Sequence, residues 1–235
     1  MGAHLTLAIG NKTYSSWSLR PWLALRHFGI PFEEVLVPLR QADTRERTLA
    51  YSPTGLVPAL RVGAVQVWES IAILEMLAEV HPEMAFWPKD IVARAAARSM
   101  AAEMHAGFSD LRSACPMNLG KRFAARDRGA AVQANVDRIT AMWRDARARF
   151  GKEGPFLCGA FGAVDAMYAP VVTRFQTYSI PVDPVSKAYM EAVLALPAYK
   201  EWLAGALGEP WTLEASEVKE PAVEDHRRAV QQRAA

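Results

Sequence analysis

The first eighty residues alternate between short apolar runs and amphipathic stretches. "HLTLAIG" and "PFEEVLVPL" have the length and the alternation of half-buried strands, and "GLVPALRVGAVQVW" predicts two further strands around a turn at Gly63. Apolar positions at helical spacing predict one helix from Leu19 to Phe28 and another from Glu69 onwards, and "TRERTLAYSP" predicts a short exposed helix. The predicted order is therefore β-α-β-α-β-β-α, which is typical of an α/β layer.

The pattern changes after Pro88, beyond which no run shows the alternation of a strand. "DIVARAAARSMAAEMHAGFSDLRSA" and "AAVQANVDRITAMWRDARARFG" are rich in alanine and arginine, which favour helix, and at least three shorter helical stretches follow. We therefore predict an α/β domain over residues 1–81, a linker over 82–90 and an all-helical domain over 91–213. The charged tail over 214–235 has few large apolar residues, and we expect it to be partly disordered.

Composition and charge narrow the class of protein. The 235 residues are 51% hydrophobic and 22% charged, which is ordinary for a globular protein, and a net charge of +2 gives no reason to expect a nucleic-acid partner. No apolar run approaches the roughly 20 residues of a membrane span, and the N-terminus lacks the pattern of a signal peptide. Two cysteines make no disulfide framework, and the five histidines show no metal-ligand clustering. We expect a cytoplasmic protein with no metal and no membrane partner.

Three serines stand between the first strand and the first helix. One hydroxyl, from Ser15, Ser16 or Ser18, would suffice to cap that helix, so the cluster suggests a site that uses hydroxyl groups at a helix N-terminus. Further along, Val57–Pro58 interrupts a strand pattern, and proline in a strand belongs at an edge or a special turn. If this bond is cis, the main-chain groups of Val57 can face a cleft and pair with a peptide.

Glu69 and Ser70 open the third helix, whose free N–H groups and positive dipole end suit a carboxylate. A Val-Pro pair is also common in ordinary turns, and a Glu-Ser pair is common as a helix cap. The combination with the serine cluster, at its observed spacing and ahead of a helical second half, favours a binding site.

With these motifs the chain resembles the cytosolic glutathione transferases over nearly its whole length, to about residue 210. "SSWSLR", "GLVPAL" and "ESIAIL" look like the glutathione site of that family, and "SSWSLRPWLAL" is closest to the "SSCSxRVRIAL" signature of the zeta class, the maleylacetoacetate isomerases. The resemblance implies a thioredoxin-like N-terminal domain, an all-α C-terminal domain, a homodimer, and conjugation of the glutathione thiol to a small electrophile.

The resemblance also implies roles for individual residues, in three groups. The catalytic pair is Ser15 and its neighbour Ser16, and which of the two contacts the thiol stays open. The implied glutathione-binding residues are Trp17, Gln41, Leu56, Val57, Pro58, Glu69 and Ser70. The implied substrate-binding residues, on the first long helix of the second half, are Met104, His105, Phe108 and Arg112. Of these, Arg112 would attract an anionic substrate.

The chain departs from the family pattern at three points. Trp17 stands where the zeta signature has cysteine, which bears on isomerase chemistry. Gly162 replaces the Ser or Thr expected three residues before Asp165, so we expect a weaker helix cap there. No CxxC motif follows the first strand, which argues against thiol-disulfide exchange. The predicted function is a glutathione transferase; the alternatives are a non-catalytic binder of glutathione or hydrophobic ligands, and a glutathione-dependent cis-trans isomerase.

Overall fold

The computed structural model describes residues 4–227. Its first half contains four strands and three helices in the predicted order β-α-β-α-β-β-α. These elements are β1 (Leu5–Ile9), α1 (Ser16–His27), β2 (Glu33–Leu36), α2 (Thr44–Leu49), β3 (Ala59–Val62), β4 (Val65–Trp68) and α3 (Ser70–Val80). Alternation with period two and then with helical period was enough to predict the order of these elements.

The four strands form one mixed sheet in the order β2-β1-β3-β4. β1 is parallel to β2 and antiparallel to β3, and β3 is antiparallel to β4, so the N-terminal domain has a thioredoxin-like arrangement. All five residues of β1 are buried, since the strand lies inside the sheet and helices cover it. The prediction of a half-buried strand is wrong here because alternation of small and large apolar residues does not reveal how many faces are covered.

The second half is helical, as predicted, with a small ribbon that the sequence did not indicate. Its elements are α4 (Ile91–Ala106), α5 (Ser109–Ala114), β5 (Lys121–Phe123), α6 (Ala130–Phe150), α7 (Ala163–Thr177), α8 (Pro184–Ala195), α9 (Pro197–Gly208) and β6 (Ala222–Asp225). β5 and β6 pair antiparallel, with Lys121 opposite Asp225. Strands of three and four residues are too short for a detectable alternation, which explains why the prediction of no strand after Pro88 is wrong.

The stretch predicted as one long helix is divided into α4 and α5. The N–H of Gly107 donates to Glu103 O at 2.8 Å, and Phe108 then takes a left-handed conformation with φ +59°. A Cβ at Gly107 would lie 2.8 Å from that same carbonyl, so this close approach needs glycine. The break gives α5 its own direction and places Arg112 on a separate helix from His105.

The described part of the charged tail packs against the body of the protein. Glu217 accepts hydrogen bonds from Tyr14 at 2.7 Å, from Asn118 at 3.0 Å and from Lys121 at 2.6 Å. The expectation of disorder therefore does not hold for residues 214–227, because carboxylates of the tail find donors in both halves. Residues 228–235 of that expectation lie outside the described residues.

α7 is the central helix of the second half and joins it to the first. Nearly all of its residues are buried, and it packs against both α1 and α4, so one continuous apolar core spans the two halves. The sequence predicts a weaker cap at Gly162: this residue makes no side-chain hydrogen bond to the first turn, and Asp165 accepts from the N–H of Gly162 at 2.9 Å. The boundaries predicted for the domains stay a prediction; α3 ends at Val80 and α4 begins at Ile91.

Candidate functional site

A cavity of about 280 Å³ opens where the sheet meets the start of α3. Its walls are formed by Trp17, Thr54, Leu56, Val57, Pro58, Trp68 and Glu69. Five of these seven are predicted site residues, contributed by the start of α1, the loop before β3 and the residue before α3. The sequence analysis missed Thr54 and Trp68; an exposed tryptophan directly before Glu69 was the signal that could have found the second.

The loop before β3 shapes one wall of this cavity. The Val57–Pro58 bond is cis, as predicted. Pro58 is buried, while the ladder pairing of β3 begins only at Ala59. The main chain of Val57 therefore lies outside the sheet ladder and beside the cavity.

Glu69 forms the opposite wall and precedes the first turn of α3. It has a positive φ of +69°, an unfavourable conformation for a residue with a side chain, and such outliers concentrate at functional sites. Its carboxylate lies 3.4 Å from Nε2 of His105, so the second half reaches the cavity rim at this point. Ser70 is fully buried behind Glu69, and its hydroxyl accepts a hydrogen bond from Arg20 at 3.2 Å.

The serines Ser15 and Ser16 directly precede the cavity residue Trp17 in the chain and are not themselves among the residues that line the cavity. Ser15 and Ser16 are only 6% and 8% exposed. Ser15 donates its hydroxyl proton to Ser18 Oγ at 2.8 Å, and the same oxygen accepts the N–H of Gly10 at 3.0 Å. Ser16 instead accepts a hydrogen bond from Nη2 of Arg174, on α7, at 3.2 Å.

Two buried arginines donate hydrogen bonds to these serines, Arg20 to Ser70 and Arg174 to Ser16. Arg20 and Arg174 are 1% and 4% exposed, and neither has a carboxylate partner within residues 4–227. Burial, together with repulsion from the other cations, lowers the pKa of Arg20 to about 9 and that of Arg174 to about 10. Both groups stay charged at neutral pH; within the described part of the chain no acidic residue lies at hydrogen-bonding distance of either, and Glu69 acts on Arg20 only through its charge.

Trp17 lines the cavity and also contacts Arg20 and Arg112. Its ring lies 4.2 Å from the guanidinium carbon of Arg20, 5.3 Å from that of Arg112, and 5.3 Å from the ring of His105. Burial, with the charges of Arg20 and Arg112, lowers the pKa of His105, and the charge of Glu69 opposes this shift. The imidazole is therefore neutral at pH 7.

The remaining predicted residues are not brought to the cavity. Gln41 is exposed. Its main-chain N–H donates to the hydroxyl of Thr44, and its side-chain amide donates to the carbonyl of Leu39. Met104 is fully buried in the core, and Phe108 is partly buried against it. Their proposed ligand contacts stay predictions.

The cysteine thiols are buried or partly buried and do not belong to the cavity. Burial raises the pKa of Cys115 to about 11 and that of Cys158 to about 12, so neither is a thiolate at neutral pH. Residues 4–227 contain no group of three or more His, Cys, Asp or Glu side chains that could hold a metal ion. The same part of the chain has no helix long and apolar enough to cross a bilayer. The polar side chains that line the cavity are the hydroxyl of Thr54, the indoles of Trp17 and Trp68, and the carboxylate of Glu69.

Comparison with protein families gives two matches in chain order. The family described as "Glutathione S-transferase, N-terminal domain" matches residues 14–80, and "Glutathione S-transferase, C-terminal domain" matches residues 126–205. The two ranges contain the whole cavity, the serine cluster and Arg174.

Individual proteins are similar to this chain at lower coverage. A Caenorhabditis elegans protein named "Probable maleylacetoacetate isomerase" is 30% identical over 132 residues, 56% of this chain and 61% of that relative. Alignments with the first curated relatives cover only 45% to 61% of their length. Among solved structures, a zeta-class maleyl pyruvate isomerase in its holo form has a TM-score of 0.66 at 24% identity, covering 88% of this chain and all of that one. A glutathione transferase homologue from Burkholderia with bound glutathione has a TM-score of 0.65 at 23% identity, covering 86% and 97%. At this identity the structural likeness shows the fold alone.

Proposed function

Because the chain belongs to the glutathione S-transferase family, we propose that it binds glutathione at the cavity and activates its thiol for attack on a small electrophile. The observation that carries this proposal is the convergence of three separate segments, containing Trp17, Val57–Pro58 and Glu69, on one cavity, with a pair of buried serines directly before Trp17 in the chain. Glutathione supplies the nucleophilic thiol, and the protein supplies its binding, orientation and ionisation.

The residues present fit the tripeptide. Val57 lies outside the ladder, so its N–H and C=O are placed to pair with a peptide backbone as an added strand would. Glu69 offers a carboxylate for an ammonium group, while the start of α3 offers N–H groups and a positive dipole end for a carboxylate. An amino acid bound through its own amino and carboxyl groups, like the γ-glutamyl end of glutathione, meets both requirements.

Hydrogen bonding is strong enough to ionise the thiol. An unperturbed thiol has a pKa of about 8.5, and lowering this by two units requires about 2.7 kcal/mol. A hydroxyl that donates to a thiolate contributes about 1.5–3 kcal/mol, and the N-terminus of a helix adds about 0.3–1 kcal/mol. In this proposal one serine hydroxyl at the start of α1 supplies the first contribution and the N-terminus of α1 supplies the second, so no general base is needed.

The isomerase alternative is supported by the names of the relatives. The Caenorhabditis relative and the zeta-class structure are both isomerases by name, and that activity would use the same activated thiol. Trp17 replaces the cysteine of the zeta signature, so we rank the isomerase second. His105 and Arg112, which adjoin Trp17, stay the proposed electrophile-binding residues on this side.

The proposal is tested by adding glutathione and following the thiolate absorbance, then by a panel of electrophiles and cis-configured keto acids. We expect a thiolate signal at neutral pH and conjugate formation with at least one electrophile. Conversion of a cis acid without net loss of glutathione would identify the isomerase instead. Binding and a thiolate signal without turnover would identify a non-catalytic binder.

We further propose that the protein works as a cytoplasmic homodimer. The cytoplasm keeps glutathione and the free thiols of Cys115 and Cys158 reduced. Edge strand β4 exposes Val65 and Trp68, and α4 begins with the exposed pair Ile91 and Val92. Apolar residues of this size on an edge strand and a helix start are suited to an interface between subunits.

A further inference from the structure

The three hydroxyls at the start of α1 differ in where their protons can go. Ser15 donates its proton to Ser18 Oγ, which also accepts the N–H of Gly10, so this pair ties the helix start to the end of β1. Ser18 is fully buried and cannot reach a ligand. Ser16 is 8% exposed; unlike Ser15, it donates its proton to no acceptor within residues 4–227, and its oxygen accepts from Arg174.

Arg174 is fixed in a single orientation behind Ser16. Its Nε donates to the carbonyl of Cys115 at 2.9 Å and its Nη1 to the carbonyl of Pro170 at 3.2 Å, which leaves Nη2 aimed at Ser16 Oγ. The guanidinium is 4% exposed, and its Nε, Nη1 and Nη2 all donate to protein acceptors. A charged donor on a hydroxyl oxygen polarises the O–H bond, and hydrogen bonds in such a chain strengthen one another.

From this arrangement we propose that Ser16, not Ser15, donates the hydrogen bond to the sulfur of bound glutathione, and that Arg174 is the positioning residue that prepares Ser16 for it. The proposal rests on the proposed function and deepens it. The thiol loses its proton to solvent, Ser16 keeps its own proton, and the guanidinium stays charged throughout. Ser15 holds the turn that places Ser16.

The buried charge gives an independent reason for this assignment. Arg20 and Arg174 are cations without a carboxylate partner within residues 4–227, and an anion bound next to Ser16 would compensate part of that charge. Repulsion among Arg20, Arg112 and Arg174 contributes to the lowered pKa values of Arg20 and Arg174. A thiolate relieves this repulsion, whereas a neutral thiol does not.

The experiment measures the pKa of the bound thiol from its ultraviolet absorbance, on the full chain saturated with glutathione. Ser16→Ala should raise this pKa by about one to two units, the shift equivalent to one lost hydrogen bond to a charge. Conjugation at neutral pH should fall about 10- to 100-fold and recover in part at high pH. Ser15→Ala is the competing variant: a rise of this size in Ser15→Ala, with none in Ser16→Ala, overturns the proposal.

Arg174 is tested by two substitutions and a double variant. Arg174→Met should raise the thiol pKa nearly as much as Ser16→Ala does, and Arg174→Lys, which keeps the charge, should restore part of the shift. In the Ser16→Ala background, Arg174→Met should add little, because its effect passes through Ser16. A full additional rise in the double variant would overturn the positioning role. If Arg174→Met does not fold, as thermal unfolding would show, the Lys variant and Ser16→Ala still decide.

Failure of this proposal can be told apart from failure of the proposed function. Calorimetry on the unmodified protein shows whether glutathione binds at all, and the electrophile panel shows whether it reacts. A protein that binds and conjugates glutathione, with a thiol pKa unchanged in Ser16→Ala, would leave the proposed function standing and refute the role of Ser16.

Discussion

At the scale of single residues, the site is governed by charges that the protein buries around Trp17. Arg20 is 1% exposed, its Nε has no partner within the described residues, and its Nη1 donates to Ser70. An unpaired guanidinium costs folding free energy, so it is expected to be retained where its field serves a ligand. The pKa of His105 is lowered by the charge of Arg20 and raised by that of Glu69, so it measures the balance between the two charges.

We predict that the pKa of His105 lies below its ordinary 6.5, because burial and the charge of Arg20 outweigh that of Glu69. Glu69→Gln should lower this pKa further, and Arg112→Leu should raise it, since each removes a charge of known sign. The measurement is an NMR titration of the imidazole signals, with His105→Asn to assign the resonance. A pKa above 6.5 in the unmodified protein would show that Glu69 dominates instead.

At the scale of elements, the start of α7 depends on one buried carboxylate. Asp165 accepts from Leu157 N at 3.1 Å and from Gly162 N at 2.9 Å, which joins the preceding loop to the helix. Gly162 has no side chain to cap the helix, so Asp165 carries the cap alone. Because α7 also carries Arg174, this cap helps to hold the element that reaches the site.

We predict that Asp165→Ala lowers the free energy of unfolding by about 1–3 kcal/mol for each of the two N–H groups left unsatisfied. Burial raises the pKa of Asp165 from 3.8 to about 7 in spite of these donors. The folded protein therefore binds this proton more tightly than the unfolded chain, and the stability contributed by Asp165 falls as pH rises from about 4 to about 7.

Asp165→Asn has no titrating group and serves as the reference for this pH dependence. The stability of the unmodified protein relative to Asp165→Asn should decrease between pH 4 and pH 7, as measured by denaturant unfolding. Asp145→Asn, at an exposed ion pair with Arg149, is the matched control for replacing an aspartate by asparagine at the surface. A stability difference that grows with pH would contradict the raised pKa.

At the scale of the whole molecule, the two halves share one hydrophobic core, and Glu217 of the tail is hydrogen-bonded to both halves. Glu209 accepts the N–H groups of Lys12 and Thr13 at 2.6 and 3.1 Å, directly before the serine cluster. The surface still leaves large apolar side chains exposed on β4 and at the start of α4. These residues are the proposed contacts of the homodimer.

We predict a dimer of about twice the 25.9 kDa chain mass in sedimentation at micromolar concentration. Ile91→Asp places a charge on a side chain that is 65% exposed at the start of α4, and it should shift the protein toward the monomer. Val185→Asp, at a 44% exposed position on α8, is the control and should leave the dimer intact. A monomer across this concentration range for the unmodified protein would refute the prediction.

The sequence by itself determined the features whose causes are local. Alternation and helical spacing predicted the first seven elements in order, and short motifs predicted Val57, Pro58 and Glu69, which lie within about a dozen residues of each other and line one cavity. Such features depend on backbone preferences and on turn residues, which are properties of neighbouring positions. The ribbon of β5 and β6 escaped because its short strands pair across about 100 positions. The break at Gly107 is local, and the alanine-rich helical pattern on that stretch outweighed the signal of the glycine.

Only the tertiary structure decided how the site is charged and which hydroxyl has a free proton. Ser16 and Arg174 are 158 positions apart, and Tyr14 and Glu217 are 203 apart, so no local pattern relates them. An arginine in a sequence is expected at the surface, and Arg20 and Arg174 become buried only because α1 packs against α7. Packing between the two halves buries Arg174 and removes the water that would otherwise solvate its charge. Its guanidinium therefore donates to protein acceptors, one of which is Ser16.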